Sequence, residues 1–121
     1  MGISFDKALG IHPHTLNLRG ERAKVLAGNL ANVDTPGFKA RDFDFQAAIA
    51  SVEAQSLGGQ APAQTAPALQ YRNPYNNSMD GNTVELGVEQ AHYAQNAMDF
   101  ETSLTFLNMK FKGLATAIQG Q

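Results

Sequence analysis

The sequence predicts a mainly α protein: two long terminal helices form a coiled-coil-like hairpin, joined by a turn, a short extended segment and a mobile Ala/Gln/Pro-rich middle. Three observations predict it. Apolar residues recur at alternating steps of four and three near each end of the chain, the pattern of a helical seam. Pro36-Gly37 punctuates the end of the first seam, where proline sets φ and glycine accepts the positive φ of a type II turn. The stretch from Gln55 to Ala68 has no large apolar residue after Leu57, so burial there cannot offset the entropy of ordering.

The first element, 1–33, follows Phe5, Leu9, His12, Leu16, Arg19, Ala23, Leu26, Leu30 and Val33. His12 and Arg19 interrupt the stripe, but an arginine stem can pack along a seam with its head in water. Pro13 disfavours a helical conformation at His12 and suits the first turn of a helix. The expectation is a short segment near 3–11, a kink near 12–13 beside Gly10, and a main helix from about Pro13 to Asn32.

The second element, 34–53, opens with the Pro36-Gly37 turn. Phe43 and Phe45 alternate as in a short extended stretch with one apolar face, Asp42 and Asp44 supplying the polar face, and Gln46–Glu53 suits a brief helical turn. A flexible linker is expected over 54–81. The last element, 82–121, has Asn82 as its expected N-cap, with Glu85 three residues later as a capping box places it. Its stripe is Leu86, Gln90, Tyr93, Ala97, Phe100, Leu104, Leu107, Phe111, Leu114 and Ile118. Acids sit early and Lys110 and Lys112 late, in the order the helix dipole favours. A helix of about 35 residues is ~50 Å long, more than a domain of 121 residues can cover, so part of its apolar face needs a partner.

Composition narrows the function. Net charge is −2, which does not suggest a nucleic-acid binder. Charge is unevenly placed: residues 1–41 hold six Lys or Arg against three acids, and 82–121 hold two against four. Opposite signs favour contacts between the ends, within or between chains, although a solvated surface without such pairing has the same composition. There is no cysteine, so disulfides and thiolate metal sites are excluded. No apolar run is long enough to span a membrane, and the N-terminus lacks the pattern of a cleavable secretory signal. His12 and His14 lack the i, i+4 spacing of a metal pair on one helix face. Gly58-Gly59 lacks the following Lys of a phosphate loop, and no nucleophile, base and orienting group converge. No catalytic site, metal or cofactor is expected.

The informative run is Leu26-Ala27-Gly28-Asn29-Leu30-Ala31-Asn32-Val33-Asp34-Thr35-Pro36-Gly37-Phe38-Lys39. Asn32 and Asp34 can bond local backbone as the helix ends, and Phe38 can pack back after the reversal. This run resembles the signature of flagellar axial proteins, in which an N-terminal helix ends in Asn-(apolar)-Ala-Asn, followed by Thr-Pro-Gly and an aromatic. Lys39–Phe45 directly after the turn and Gly81–Glu85 before the last helix look most like the basal-body rod proteins of the proximal rod. The resemblance covers roughly 1–53 and 71–121, and the short middle departs from the larger middle domain of hook and distal rod relatives.

What the resemblance implies is a structural, non-enzymatic subunit. It marks Asn29, Asn32, Thr35, Pro36, Gly37 and Phe38 as the family turn. The helical stripes supply the expected assembly interface: Leu16, Leu26, Leu30, Leu86, Tyr93, Phe100, Leu104, Leu107, Phe111, Leu114 and Ile118. Family members are exported without a cleavable signal by the flagellar type III apparatus, and stack with themselves and other rod proteins. The rod they build joins the membrane ring to the hook, transmits motor torque and crosses the periplasm. Heterologous contacts that do not close produce such helical assemblies. Nucleic acid and small-molecule substrates are not expected partners. Another proximal rod subunit remains an alternative, as does a small coiled-coil adaptor or secretion chaperone, for which the Thr-Pro-Gly run has no use.

Overall fold

A computed structural model describes residues 9–10, 12–57 and 68–120. Its elements are α1 (His12–Ala31), β1 (Arg41–Asp42), α2 (Phe45–Leu57), β2 (Gln70–Tyr71) and α3 (Leu86–Ile118). The architecture is the mainly helical one expected. Helices α1 and α3 form an antiparallel hairpin, with His12 against Phe106, Arg19 against Asp99 and Asn29 against Glu89. Each step along α1 is matched by an equal step back along α3.

Helix α1 begins after Gly10, whose φ of 63° breaks the preceding path, and Pro13 lies in its first turn, where no amide donor is required. The sequence also places a short segment near 3–11. Residues 3–8 and 11 lie outside the described residues, as do Gly58-Gly59 and the rest of 58–67 within the expected linker.

The chain leaves α1 through tightened bonds, Asn32 N–H to the Asn29 carbonyl (3.1 Å) and Val33 N–H to the Leu30 carbonyl (3.3 Å). Phe38 N–H then closes a β-turn on the Thr35 carbonyl at 3.2 Å. Pro36 and Gly37 are its central residues, and Gly37 has φ 76°, as a type II turn demands.

The extended stretch is shorter than the Phe43/Phe45 alternation suggests. Strand β1 comprises Arg41 and Asp42 alone and pairs antiparallel with β2, Arg41 opposite Tyr71 and Asp42 opposite Gln70. Phe45 is already the first residue of α2, because the Asp44 carboxylate caps that helix by accepting from the Ala47 amide at 3.2 Å. Asp42 and Asp44 therefore do not form a polar strand face: one caps α2, and the other is drawn into the interior. Helix α2 extends to Leu57, beyond the expected brief turn. The segment 54–81 thus joins the fold at both described ends, through α2 and through β2.

Asn82 is not the N-cap of α3. The helix starts at Leu86, its capping position is Glu85 in an extended conformation (φ −108°, ψ 110°), and no side chain caps it. The Asn82 side chain is committed elsewhere, as described below. Glu85 instead accepts a bond from the Tyr75 amide at 2.7 Å.

The rotation of α3 also differs from the simplest reading of its stripe. In the half nearest the turn, Glu89 and Asn96 face α1 and are 1% exposed. Leu86 and Tyr93 on the apolar stripe are 49% and 41% exposed. The phase follows the bonds available to Glu89 and Asn96, since burying them unpaired costs more than exposing two apolar side chains. On α1 the buried apolar residues are Leu18 and Leu26. With Ala40 and Phe43 they complete the buried apolar set among the described residues, matched by four buried polar ones, Asn29, Asn82, Glu89 and Asn96.

Helix α1 has 20 residues and α3 has 33, so α3 is longer by roughly 20 Å at 1.5 Å per residue. Beyond Phe106 its apolar side chains have little cover from the described residues, and Met109, Phe111 and Ile118 are exposed. Leu26 has no exposed surface at all. Leu26→Ala is expected to destabilise the hairpin by about 2–5 kcal/mol, measured as a lowered urea midpoint with helicity as the signal.

Candidate functional site

Two polar clusters hold the hairpin together, and both draw on the motif that the sequence singles out. The first is a latch at the turn. The Asn82 amide donates to the carbonyls of Asn32, Val33 and Thr35 at 3.0, 2.9 and 2.8 Å. Its carbonyl oxygen accepts from the Val84 amide at 2.7 Å. A helix end leaves its last carbonyls without partners, and Asn82, 5% exposed, satisfies them from the opposite side of the chain. The two backbones then run together. Gly37 N–H donates to the Asp80 carbonyl (3.0 Å) and Thr83 N–H to the Phe38 carbonyl (2.9 Å). Ala40 N–H donates to the Thr83 hydroxyl at 2.7 Å, and the Lys39 ammonium reaches the Gly81 carbonyl at 2.6 Å.

Within the motif, Asn32 donates to the Gly28 carbonyl (2.8 Å), and the Thr35 hydroxyl donates to the Asn32 side-chain oxygen (3.1 Å). Thr35, Pro36 and Gly37 are exposed and Phe38 is half-buried. Their common role is geometric: they fix where α1 stops and where the chain turns.

The second cluster is a buried charge knot. Asn29, 2% exposed, donates to the Arg41 carbonyl at 2.7 Å and accepts from the Arg41 amide at 3.0 Å, so one side chain pairs with β1 as a strand would. Its amide also donates to the Glu89 carboxylate at 3.0 Å. The other Glu89 oxygen accepts from the Arg72 guanidinium. Arg72 bridges to Asp42 at 2.6 Å, and Asp42 is held from its other side by a two-pronged contact from Arg22 at 3.1 and 3.0 Å. Two carboxylates and two guanidinium groups thus balance in charge. They come from α1, β1, the residue after β2, and α3. Farther along the seam, Asn96 donates to the Arg19 carbonyl at 2.9 Å. The Arg19 guanidinium lies 3.6 Å from the centre of the Phe45 ring.

The knot shifts the ionisation of Asp42 and of the neighbouring His92. Burial opposes the Asp42 charge, but bonds from Arg22, the Phe43 amide and Arg72, with the Arg22 charge, outweigh it and hold the carboxyl below its ordinary value. His92 is shifted down, first by burial and then by the charges of Arg72 and Arg22, with Asp42 acting the other way.

The expected interface residues fall into two groups. Leu26 is buried inside the hairpin, and Leu16, Leu30, Phe100, Leu104, Leu107 and Leu114 are partly covered. Leu86, Tyr93, Phe111 and Ile118 are exposed on α3. Phe106, Met109, Lys110, Gly113 and Leu114 border an open apolar depression on its distal half. Sequence reasoning missed Arg22, Asp42, Arg72 and Glu89 as a cooperating set, and Asn82 as the latch on the turn. Glu89 and Asn96 carried a legible signal, a polar pair seven residues apart on a helix rich in apolar residues. Arg72 carried none, because it sits in a loop-like run. Among the described residues no group of His, Asp and Glu could hold a metal ion, and no helix is long and apolar enough to cross a membrane.

Two predictions follow from this geometry. Gly37→Val places a β-branched residue at φ 76° and is expected to cost about 1–3 kcal/mol, read as a lowered denaturation midpoint. For pH, Asp42 and His92 have folded-state values below their unfolded ones. The stability each contributes is full above its unfolded value and is lost as pH falls through its folded value. Stability should therefore decline in two limbs, one starting below about pH 6.5 from His92 and one below about pH 3.9 from Asp42. In denaturation measured against pH, His92→Gln should remove the upper limb and Asp42→Asn should shrink the lower, which Asp80, held below its ordinary value by bonds from Ser78 and the Asn82 amide, shares.

Residues 11–39, which contain α1 and the turn, match the family model described as flagella basal body rod protein. The flagellar basal body rod protein FlgB of Aeromonas hydrophila is 44% identical over 131 residues, covering 100% of this chain and 99% of the relative. The FlgB of Salmonella typhimurium is 39% identical, with 95% of each chain covered, and that of Escherichia coli is 36% identical, with 94% of each covered. The similarity thus spans the turn, the latch and both long helices, and the chain belongs to the flagellar basal-body rod protein family, a family of structural components and not of enzymes.

Proposed function

We propose that this chain is a subunit of the proximal part of the flagellar rod and polymerises through its terminal helices, so that motor torque passes through the stack. The observation that carries this reading is the exposed apolar surface of α3. Leu86, Tyr93, Phe111 and Ile118 lie outside the hairpin contacts of a chain whose full length matches rod proteins. An apolar face left open by a folded subunit is a place for neighbours, and contacts between different faces of successive copies build an open helical stack.

The partners in this reading are other copies, other rod proteins and the proteins that join the rod to the membrane ring. The flagellar type III apparatus is the proposed export route. Delivery as an unfolded chain agrees with the small buried apolar set among the described residues, Leu18, Leu26, Ala40 and Phe43, since stability from apolar burial scales with the area buried.

The test separates assembly from folding. Phe111 is 46% exposed on the distal half of α3, so Phe111→Asp leaves the hairpin knot and latch untouched. In cells lacking the native copy, this variant should accumulate as a helical subunit yet give no swimming and few complete basal bodies by electron microscopy. Normal swimming with normal basal-body numbers would sink the proposal that this face joins subunits.

A further inference from the structure

The apolar seam of α3 does not by itself define which residue of α3 faces which residue of α1. Phe100, Leu107 and Leu114 are spaced by seven, as are Leu104, Phe111 and Ile118. Sliding α3 by one heptad exchanges one large apolar residue for another along the stripe from Phe100 onward, and a heptad seam is known to need a further device to choose its register. The Asn82 latch is not that device. It grips main-chain carbonyls of Asn32, Val33 and Thr35, which every residue carries, so the only side-chain identity it reads is that of Asn82, four residues before α3 begins.

The charge knot does read identity. Arg72 is anchored to the α1 side of the molecule, its amide bonded to the Ala40 carbonyl at 2.9 Å and its guanidinium to Asp42 at 2.6 Å. From there it meets Glu89, which also takes the Asn29 amide. The positions one heptad away from Glu89 on either side are Asn82 and Asn96. Either slip therefore presents an amide where Arg72 and Asn29 require a carboxylate, and parts the Glu89 charge from both of them. A buried charge separated from its partner is the strongest penalty a seam can impose.

From this we infer that the Arg22–Asp42–Arg72–Glu89–Asn29 knot is a register lock: it selects the single alignment of α1 with α3 that the heptad repeat leaves open. Its role is specificity of pairing more than strength, and it stands independently of how subunits assemble. Moving the acid by one heptad should then move the alignment.

The chain has no cysteine, so nitroxide labels can be placed at Lys24→Cys on α1 and Lys112→Cys on α3, both on exposed positions. Pulsed electron-spin distance measurement on full-length chain, diluted with unlabelled protein, reports the alignment. The native knot should give one distance. The exchange Glu89→Asn with Asn96→Glu should add a population shorter by about 10 Å, the rise of one heptad. A single unchanged distance in that variant, with helicity retained, overturns the inference, and so does a pair of distances in the native knot. If the exchange variant loses its helicity, Glu89→Gln decides. It removes the charge that separates position 89 from its heptad neighbours, and a displaced population is expected there too. An unchanged single distance in Glu89→Gln also overturns the lock.

Discussion

The pairing of Asp42 and Glu89 with Arg22 and Arg72 is the constraint on which the remaining structure depends. These side chains belong to segments that are far apart in sequence, and each is at least four-fifths buried. Charges so placed are tolerated only when they are mutually satisfied, so the four segments must arrive together or not at all. Replacing such a network by apolar residues is often neutral or stabilising, whereas removing one partner typically costs about 3–5 kcal/mol. The network therefore punishes wrong arrangements more than it strengthens the right one. Asn29 extends this control to the backbone, since it bonds both the amide and the carbonyl of Arg41 and so fixes β1 against α1.

The rotation of α3 follows from the same requirement. Glu89 and Asn96 must face α1 to reach Asn29, Arg72 and the Arg19 carbonyl. In the same half of the hairpin Leu86 and Tyr93, three positions before Glu89 and Asn96, are left exposed beside the line of contact. A polar interior in one half of the hairpin and an open apolar face outside it are two consequences of one rotation. The mismatch in length between α1 and α3 adds to this, leaving the distal apolar residues of α3 largely uncovered.

Around the turn, conformational rules and long-range bonding act together. Gly37 supplies the positive φ and Pro36 the fixed φ that reverse the chain. The carbonyls freed at the end of α1 then need donors, and Asn82 provides them from 47 to 50 residues away in sequence. The family motif is thus half of a structure whose other half precedes α3. This division explains why the run that identifies the family carries no chemistry of its own. Its residues shape a rigid joint at one end of a helical hairpin, as suits a component that bears load.

The sequence by itself determined the helical hairpin, the position of the turn and the family. Each of these is written in local patterns: heptad spacing for α1 and α3, Pro36-Gly37 for the reversal, and the Asn29–Lys39 run for kinship. Local patterns also have more than one use in a folded chain. Asn82 and Glu85 have the spacing of a capping box, and Phe43 and Phe45 have the alternation of a strand. In the folded chain, Asn82 serves distant carbonyls and Asp44 starts a helix at Phe45. Only the tertiary structure decided which face of α3 meets α1, because the apolar stripe and the polar stripe beside it are both continuous. The choice falls to partners such as Arg72, whose own segment shows no sign of burial. A charged residue in a loop acquires its meaning from the opposite charge it meets in space, and no window of sequence contains both.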